Sequence, residues 1–214
     1  MEEDISIINS NTRSEKIKKF IIKNKNKLII LLTTILFVVF GYFAFKEFEN
    51  NKKFKIAEKF NQSTTIYFSG DKTQSKNELI EIIKSKDSTY SPLALYFLID
   101  NKIETSNDVI NNYFDVLIKE VKFDKEIKNL IIYKKGLFNS DFQSENNLIE
   151  ILNPLINSDS IWKSHALYLM GEYFFSKNQK QKAKEFYDQI IILKNSNENI
   201  KLQTQKRLRQ SFSE

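Results

Sequence analysis

The clearest pattern in the chain is an uninterrupted apolar segment near its N-terminus. The 18 residues from Leu28 to Phe45 carry no charge and lie between Lys27 and Lys46. At about 1.5 Å per residue, a helix of this length measures roughly 27 Å, close to the hydrocarbon thickness of about 30 Å in a bilayer. The pattern therefore predicts a single transmembrane helix over residues 28–45.

Two other interpretations fit this segment less well. A buried core helix rarely stays apolar around its whole circumference for 18 residues, and this segment ends in aromatic residues typical of a membrane interface. A cleaved signal peptide has a shorter leading region than the 27 residues that precede Leu28, and no pair of small residues at cleavage spacing follows the apolar run. We therefore expect an uncleaved anchor.

The basic residues on the two sides of the anchor predict its orientation. Residues 13–27 contain seven Lys or Arg, whereas residues 46–60 contain five. Because the more basic side tends to stay in the cytoplasm, we expect a basic cytoplasmic tail over residues 1–27 and the remaining chain across the membrane. Binding of the tail to anionic lipid is compatible with this topology. The alternative topology places the C-terminal part in the cytoplasm.

Beyond the anchor, apolar residues recur with the period of a helix. No glycine or proline occurs over residues 46–69, which predicts that the anchor helix continues there as a stalk or first solenoid helix. Apolar blocks with helical spacing then predict about eight helices over residues 70–214. With Gly 4 and Pro 2 in 214 residues, the chain has too few turn residues for a sandwich or barrel. The sequence therefore predicts an all-α fold.

The predicted helices pair as about four hairpins at a nearly constant interval. Their first helices are expected to begin near positions 57, 91, 125 and 161, at intervals of about 34–36 residues, which is typical of an α-solenoid of stacked helix pairs. The best-defined unit, residues 164–197, resembles a tetratricopeptide repeat. The residues at its packing positions are Leu167, Met170, Gly171, Phe174, Ala183 and Tyr187.

One face of the first helix in this unit is the candidate peptide-binding groove. First helices line the concave surface of tetratricopeptide proteins, so the resemblance implies that four residues contact a peptide: His165, Tyr168, Glu172 and Phe175. In the alternative interpretation, Tyr168 and Phe175 pack on the neighbouring hairpin.

The whole layout resembles the ancillary subunit family of the bacterial Sec translocon. The pattern that carries the resemblance consists of Leu152, Pro154, Leu155, Trp162, Ala166, Gly171 and Ala183, together with the single N-terminal anchor. The resemblance implies an inner-membrane protein with a tetratricopeptide-like periplasmic domain. It also implies two partners, the Sec channel and a membrane-anchored periplasmic foldase, and client polypeptides that have just been translocated.

The composition offers little for catalysis or for cofactor binding. Cys 0 excludes thiolate metal sites and iron–sulfur clusters, and His165 is the only histidine in the chain. The net charge of +6 divides equally between residues 1–27 and residues 46–214, so no face is basic enough to favour nucleic acid. We expect no cofactor, no metal and no nucleic-acid partner.

The sequence thus favours a non-enzymatic, membrane-anchored protein-interaction module that assists Sec-dependent export and periplasmic folding. Its predicted parts are the tail over residues 1–27, the transmembrane helix over 28–45, the stalk over 46–69 and the tetratricopeptide-like helical domain over 70–214. The alternative function is a scaffold for cell-division or envelope-assembly complexes. An accessory enzyme or hydrolase is the least favoured alternative.

Overall fold

The computed structural model describes residues 15–212, and within them the chain forms ten α-helices and no strand. The predicted all-α fold is confirmed. Residues 1–14 of the predicted cytoplasmic tail lie outside the described part, as do residues 213–214. The helices are α1 (15–23), α2 (Lys25–Ser69), α3 (Lys72–Lys84), α4 (Tyr90–Asp100), α5 (Asn107–Glu120), α6 (Lys125–Asn139), α7 (Glu145–Ile156), α8 (Lys163–Ser176), α9 (Lys180–Ile192) and α10 (Glu198–Phe212).

The chain divides into two compact units, Met1–Lys55 (unit 1) and Ile56–Glu214 (unit 2). Unit 1 holds α1 and most of α2. Among residues 15–212, α2 is the one helix long and apolar enough to cross a bilayer, with a mean hydropathy of 2.6 over an 18-residue window in which no residue is buried. The predicted long apolar helix is confirmed, and it is consistent with a single-pass membrane protein.

The only hydroxyl groups of the apolar run before Tyr42 find partners within the helix itself. Thr34 donates its hydroxyl to the carbonyl of Ile30 at 2.8 Å, and Thr33 donates to the carbonyl of Ile29. Since hydrocarbon offers no hydrogen-bond partners, this internal bonding lets both threonines occupy a membrane span.

The boundary between the units falls inside the predicted stalk of residues 46–69, because the last turns of α2 pack in unit 2. The Ser63 hydroxyl is fully buried and donates to the carboxylate of Glu78 on α3 at 2.7 Å. The Phe60 ring lies 6.3 Å from the Phe97 ring of α4. Residues 56–69 therefore act as the first helix of unit 2.

Two apolar clusters form the core of unit 2, and they meet at α6. The first is built from α3, α4 and α5, with Ile131 of α6. The second is built from α7, α8 and α9, with Ile132 of α6. Because neighbouring residues on a helix point in different directions, α6 contributes one side of itself to each cluster.

A close contact centred on glycine recurs in two helix pairs. A Cβ atom added to Gly136 on α6 would lie 3.0 Å from Cγ of Leu152 on α7, and one added to Gly171 on α8 would lie 2.8 Å from Cδ1 of Tyr187 on α9. The two glycines are 35 positions apart, as are Leu152 and Tyr187. This interval matches the predicted repeat length, although the tetratricopeptide-like solenoid stays a prediction.

All six predicted repeat-packing residues are buried, and all of them except Gly171 belong to the second cluster. Leu167, Met170, Gly171 and Phe174 lie on α8, and Ala183 and Tyr187 lie on α9. Gly171 and Tyr187 are in direct contact, which explains why a glycine stands at this position.

A pair of asparagines links α5 to α6. The Asn111 side-chain amide donates to Oδ1 of Asn139 at 2.9 Å, and the Asn139 amide donates back to Oδ1 of Asn111 at 2.8 Å. Asn139 also donates to the carbonyl of Lys135 at 2.7 Å and is completely buried. Both donor hydrogens of each amide are therefore used inside the protein.

We predict that Gly171→Leu destabilises the protein by about 1–3 kcal/mol or more, because the added side chain must push Tyr187 and α9 away from α8. Thermal unfolding of the full chain in mild detergent measures the effect. His165→Ala, which truncates a half-buried residue on the same helix, should lower the melting temperature less. Equal melting temperatures for the two variants would contradict the close contact.

We predict that Asn111→Ala lowers the free energy of unfolding by about 1–3 kcal/mol, because it leaves the buried Asn139 amide short of a partner. Chemical denaturation of the full chain provides the measurement. The double variant Asn111→Leu, Asn139→Leu should lose less than the sum of the two single leucine variants, because it leaves no unpaired amide. Additive losses would show that the pair is not coupled.

Candidate protein-interaction site

The four predicted groove residues, His165, Tyr168, Glu172 and Phe175, all lie half-buried on one face of α8. The structure brings three of them into contact with α9 and α10, while His165 contacts Tyr133 and Trp162 instead. The face is therefore a packed surface at both ends.

Glu172 is the polar centre of this face. Its Oε1 accepts hydrogen bonds from Nε of Arg207 at 2.8 Å and from the Tyr187 hydroxyl at 2.6 Å, while its Oε2 accepts from Nη2 of Arg207. The two-pronged bond to a guanidinium fixes both partners in one plane. Glu172 thereby ties α8 to α9 and α10.

Aromatic contacts surround this ion pair. The Arg207 guanidinium lies 5.0 Å from the centre of the Phe175 ring, and Phe212 of α10 lies 5.9 Å from the same ring. The rings of Tyr168 and Tyr187 are 5.9 Å apart. Phe175 thus packs against Arg207 and Phe212, so α10 lies against the Glu172 end of the face.

The protonation states follow from burial and from these partners. Burial alone would raise the pKa of Glu172, but the hydrogen bonds from Arg207 and Tyr187 and the positive charge of Arg207 outweigh it and lower the pKa. Burial and the bond to Glu172 raise the pKa of Tyr187, so its hydroxyl keeps its proton. Glu172 and Arg207 therefore form a charged pair at neutral pH.

His165 is placed for packing rather than for proton transfer. Its ring lies 5.0 Å from the Trp162 ring and 5.7 Å from the Tyr133 ring, and burial lowers its pKa. The imidazole is therefore neutral at neutral pH. Trp162 is itself fixed, because its indole donates to the carbonyl of Glu126 at 3.1 Å.

An open apolar groove lies elsewhere, between α4 and α6, and sequence reasoning missed it. Two neighbouring depressions of about 640 and 300 Å³ share Tyr96 and together form this α4–α6 groove. The side chains that define it are Leu93, Tyr96, Ile127, Leu130, Lys134 and Leu137.

The walls of the α4–α6 groove expose large apolar side chains. Leu93 is 42% exposed, Ile127 46% and Leu137 43%. Lys134 places its ammonium group 5.9 Å from the Tyr96 ring, and burial raises the pKa of Tyr96 to about 12. The groove therefore offers apolar contact area with one cation above an aromatic ring.

A third depression, of about 590 Å³, lies among α5, α6 and α7, and most of the residues that line it are polar. Its main polar groups already bond to one another. Lys135 donates to Asp115 at 3.1 Å, and the hydrogen-bonded pair of Asn111 and Asn139 also lines this depression. Within residues 15–212, no group of three or more acidic, histidine or cysteine side chains is arranged to hold a metal ion.

The glycine contacts supply the signal that could have located the α4–α6 groove. Gly171 and Gly136 are 35 positions apart. At the same interval, Leu130 corresponds to His165 and Leu137 corresponds to Glu172. Both leucines line the groove. Two of the four positions predicted on α8 thus have apolar equivalents on α6 that line the groove, whereas the other two correspond to Tyr133, which packs on Trp162, and to Ser140.

Comparisons with protein-family models, with curated proteins and with solved structures found no match to this chain.

We predict that Glu172→Gln lowers the melting temperature of the full chain at neutral pH, and that this difference shrinks as the pH falls below 4.5, the ordinary pKa of a glutamate. Because the folded state lowers this pKa, the unfolded state binds the proton first, so stability is lost as the pH falls through the folded pKa.

Thermal unfolding of wild type and variant across this pH range makes the test. Glu185→Gln, on the exposed surface of α9, is the matched control and should leave the melting temperature nearly unchanged. A Glu172→Gln difference that stays constant down to low pH would contradict the charged pair.

Proposed function

We propose that the protein is a non-enzymatic, membrane-anchored interaction module that binds apolar segments of other polypeptides in the α4–α6 groove. The observation that carries the proposal is the groove itself, in which Leu93, Ile127 and Leu137 stand exposed around two depressions. An amphipathic or extended segment with two or three apolar side chains fits such a surface.

The chemistry of the groove suits reversible binding. Each large apolar side chain that a partner buries contributes about 1.5–3 kcal/mol before the cost of association is subtracted. A few such contacts give moderate affinity, and release needs no covalent step. Lys134 adds a cation at the rim that favours partners with a carboxylate beside the apolar residues.

Anchoring strengthens weak binding by confining both partners to one membrane. A module attached through α2 meets other membrane proteins at a raised effective concentration, so contacts that would be too weak in solution become sufficient. The candidate span at α2 and the groove in unit 2 are therefore complementary parts of the proposal.

The narrower proposal is that the partners are the Sec channel, a membrane-anchored periplasmic foldase and newly translocated polypeptides. It places the protein in a bacterial inner membrane, with the N-terminus in the cytoplasm and unit 2 in the periplasm. The support is the resemblance over residues 150–195 and the excess of basic residues before the anchor. The recurrence of the glycine contact at 35 residues supports the tetratricopeptide-like solenoid.

We predict that a photoreactive amino acid at Ile127 or Leu137 forms adducts with a stalled exported polypeptide or with the Sec channel in intact bacterial cells. The full-length chain is used, and Gln189, an exposed position on α9 far along the chain from the groove helices, is the matched control site. Leu137→Asp should reduce the adducts formed from Ile127 several-fold, whereas Gln189→Asp should not.

Each result of the cross-linking has a defined meaning. Adducts from groove positions with the stalled chain support the export function. Adducts with a stable division or envelope-assembly complex support the scaffold and contradict the export function. No adducts, or equal adducts from Gln189, would contradict binding in the α4–α6 groove.

A further inference from the structure

The segment before the membrane span carries an unusually one-sided charge. Residues 15–27 contain six lysines and a single acidic residue, Glu15, and no further acidic residue occurs until Glu47. The lysines are Lys16, Lys18, Lys19, Lys23, Lys25 and Lys27. The three acidic residues at positions 2–4 are separated from them by more than ten residues.

The helical geometry of unit 1 brings these lysines close to the apolar run. The amide of Asn24 donates to the carbonyl of Phe20 at 3.0 Å, and the amide of Leu28 donates to the carbonyl of Asn24 at 2.9 Å. Helical hydrogen bonding thus continues through the turn between α1 and α2. At about 1.5 Å per residue, Lys16 lies roughly 18 Å before Leu28 and Lys23 roughly 8 Å.

These distances match the thickness of a charged membrane surface. The headgroup layer extends about 5–8 Å beyond the hydrocarbon, and the field of anionic lipid persists for about 8 Å more at physiological salt. Lys23, Lys25 and Lys27 therefore fall within the headgroup layer when residues 28–45 span the bilayer. Lys18 and Lys19, at roughly 15 and 14 Å, fall within the field of that layer. Lys16 lies just beyond it and reaches toward it with its flexible side chain.

An apolar stripe runs between the lysines. Ile17, Phe20 and Ile21 share one side of α1, and each is between 49% and 61% exposed. The lysines at positions 16, 18, 19 and 23 lie on the other sides of α1, so the helix has a basic face beside this apolar stripe.

The segment after the span differs in its charge balance. Residues 46–55 contain Lys46, Lys52, Lys53 and Lys55 but also Glu47 and Glu49, and Glu49 pairs with Lys53 at 3.5 Å. The attraction for anions is thus concentrated on the N-terminal side of the span.

We propose that residues 15–27 form a binding site for anionic lipid headgroups, in which the lysines attract lipid phosphates and those nearest the span contact them. The site collects anionic lipid around the N-terminal end of α2. This lipid site is separate from the polypeptide-binding groove of unit 2, and it requires only that α2 crosses the membrane.

The test uses the full-length chain reconstituted in phosphatidylcholine bilayers that contain a trace of spin-labelled lipid. The relative association of labelled phosphatidylglycerol and labelled phosphatidylcholine is measured from the motionally restricted part of the spectrum. We expect a several-fold preference for phosphatidylglycerol that declines as salt is raised. Inorganic phosphate at the same ionic strength should not reduce it further.

Two variants with equal charge changes separate this site from a general effect of net charge. Replacing four lysines before the span, Lys16, Lys18, Lys19 and Lys23, with glutamine should bring the preference close to parity. Replacing the four lysines after the span, Lys46, Lys52, Lys53 and Lys55, with glutamine should leave most of it.

Several outcomes would overturn the proposal. An unchanged preference in the first variant, or an equal loss in the second, would contradict a site at residues 15–27. Displacement by inorganic phosphate would show that the segment binds any phosphate anion rather than lipid. A motionally restricted spectral component that is equal for the two labelled lipids would contradict the lipid site but not the membrane span. The complete absence of a motionally restricted component would contradict both the lipid site and the membrane span.

Discussion

Burial of α6 on two sides is the constraint on which the structure of unit 2 depends. Ile131 is buried with α3, α4 and α5, and its neighbour Ile132 is buried with α7, α8 and α9. A helix held in two apolar clusters cannot rotate without exposing one of them, so the direction of its remaining side is fixed as well. Ile127 and Leu137 lie on that side, which is why the α4–α6 groove has a defined shape.

Equivalent positions on α6 and α8 have opposite chemistry. On α8, Glu172 binds Arg207 and Tyr187, and the Arg207 guanidinium lies over the Phe175 ring, so α10 packs on that surface. On α6, the position equivalent to Glu172 is Leu137, which stays exposed. An ion pair made by the chain itself completes the C-terminal end of unit 2, while apolar surface one repeat earlier is left for another molecule. This contrast is the physical basis of the proposed function.

In unit 1, the side chains of α1 are expected to face water and lipid headgroups, and those of the apolar run in α2 are expected to face hydrocarbon. The lysines of α1 suit a charged aqueous boundary, and the exposed apolar side chains of α2 suit hydrocarbon, where Thr33 and Thr34 satisfy their hydroxyls internally. The acidic residues Glu47 and Glu49 appear only after the apolar run. The same charge asymmetry therefore supports both the proposed orientation and the proposed lipid site.

The sequence by itself determined the all-α fold and the long apolar helix, because helical periodicity and an unbroken apolar run are properties of neighbouring residues. It also indicated the repeat interval, through the spacing of the apolar blocks that begin near positions 57, 91, 125 and 161. Only the tertiary structure decided which helix covers each apolar face. Periodicity shows that a face is apolar, but covering it is a contact between residues far apart in the chain, such as Glu172 with Arg207. For this reason the sequence did not reveal that Glu172 and Phe175 of the predicted groove contact α10, or that α4 and α6 leave an apolar groove between them.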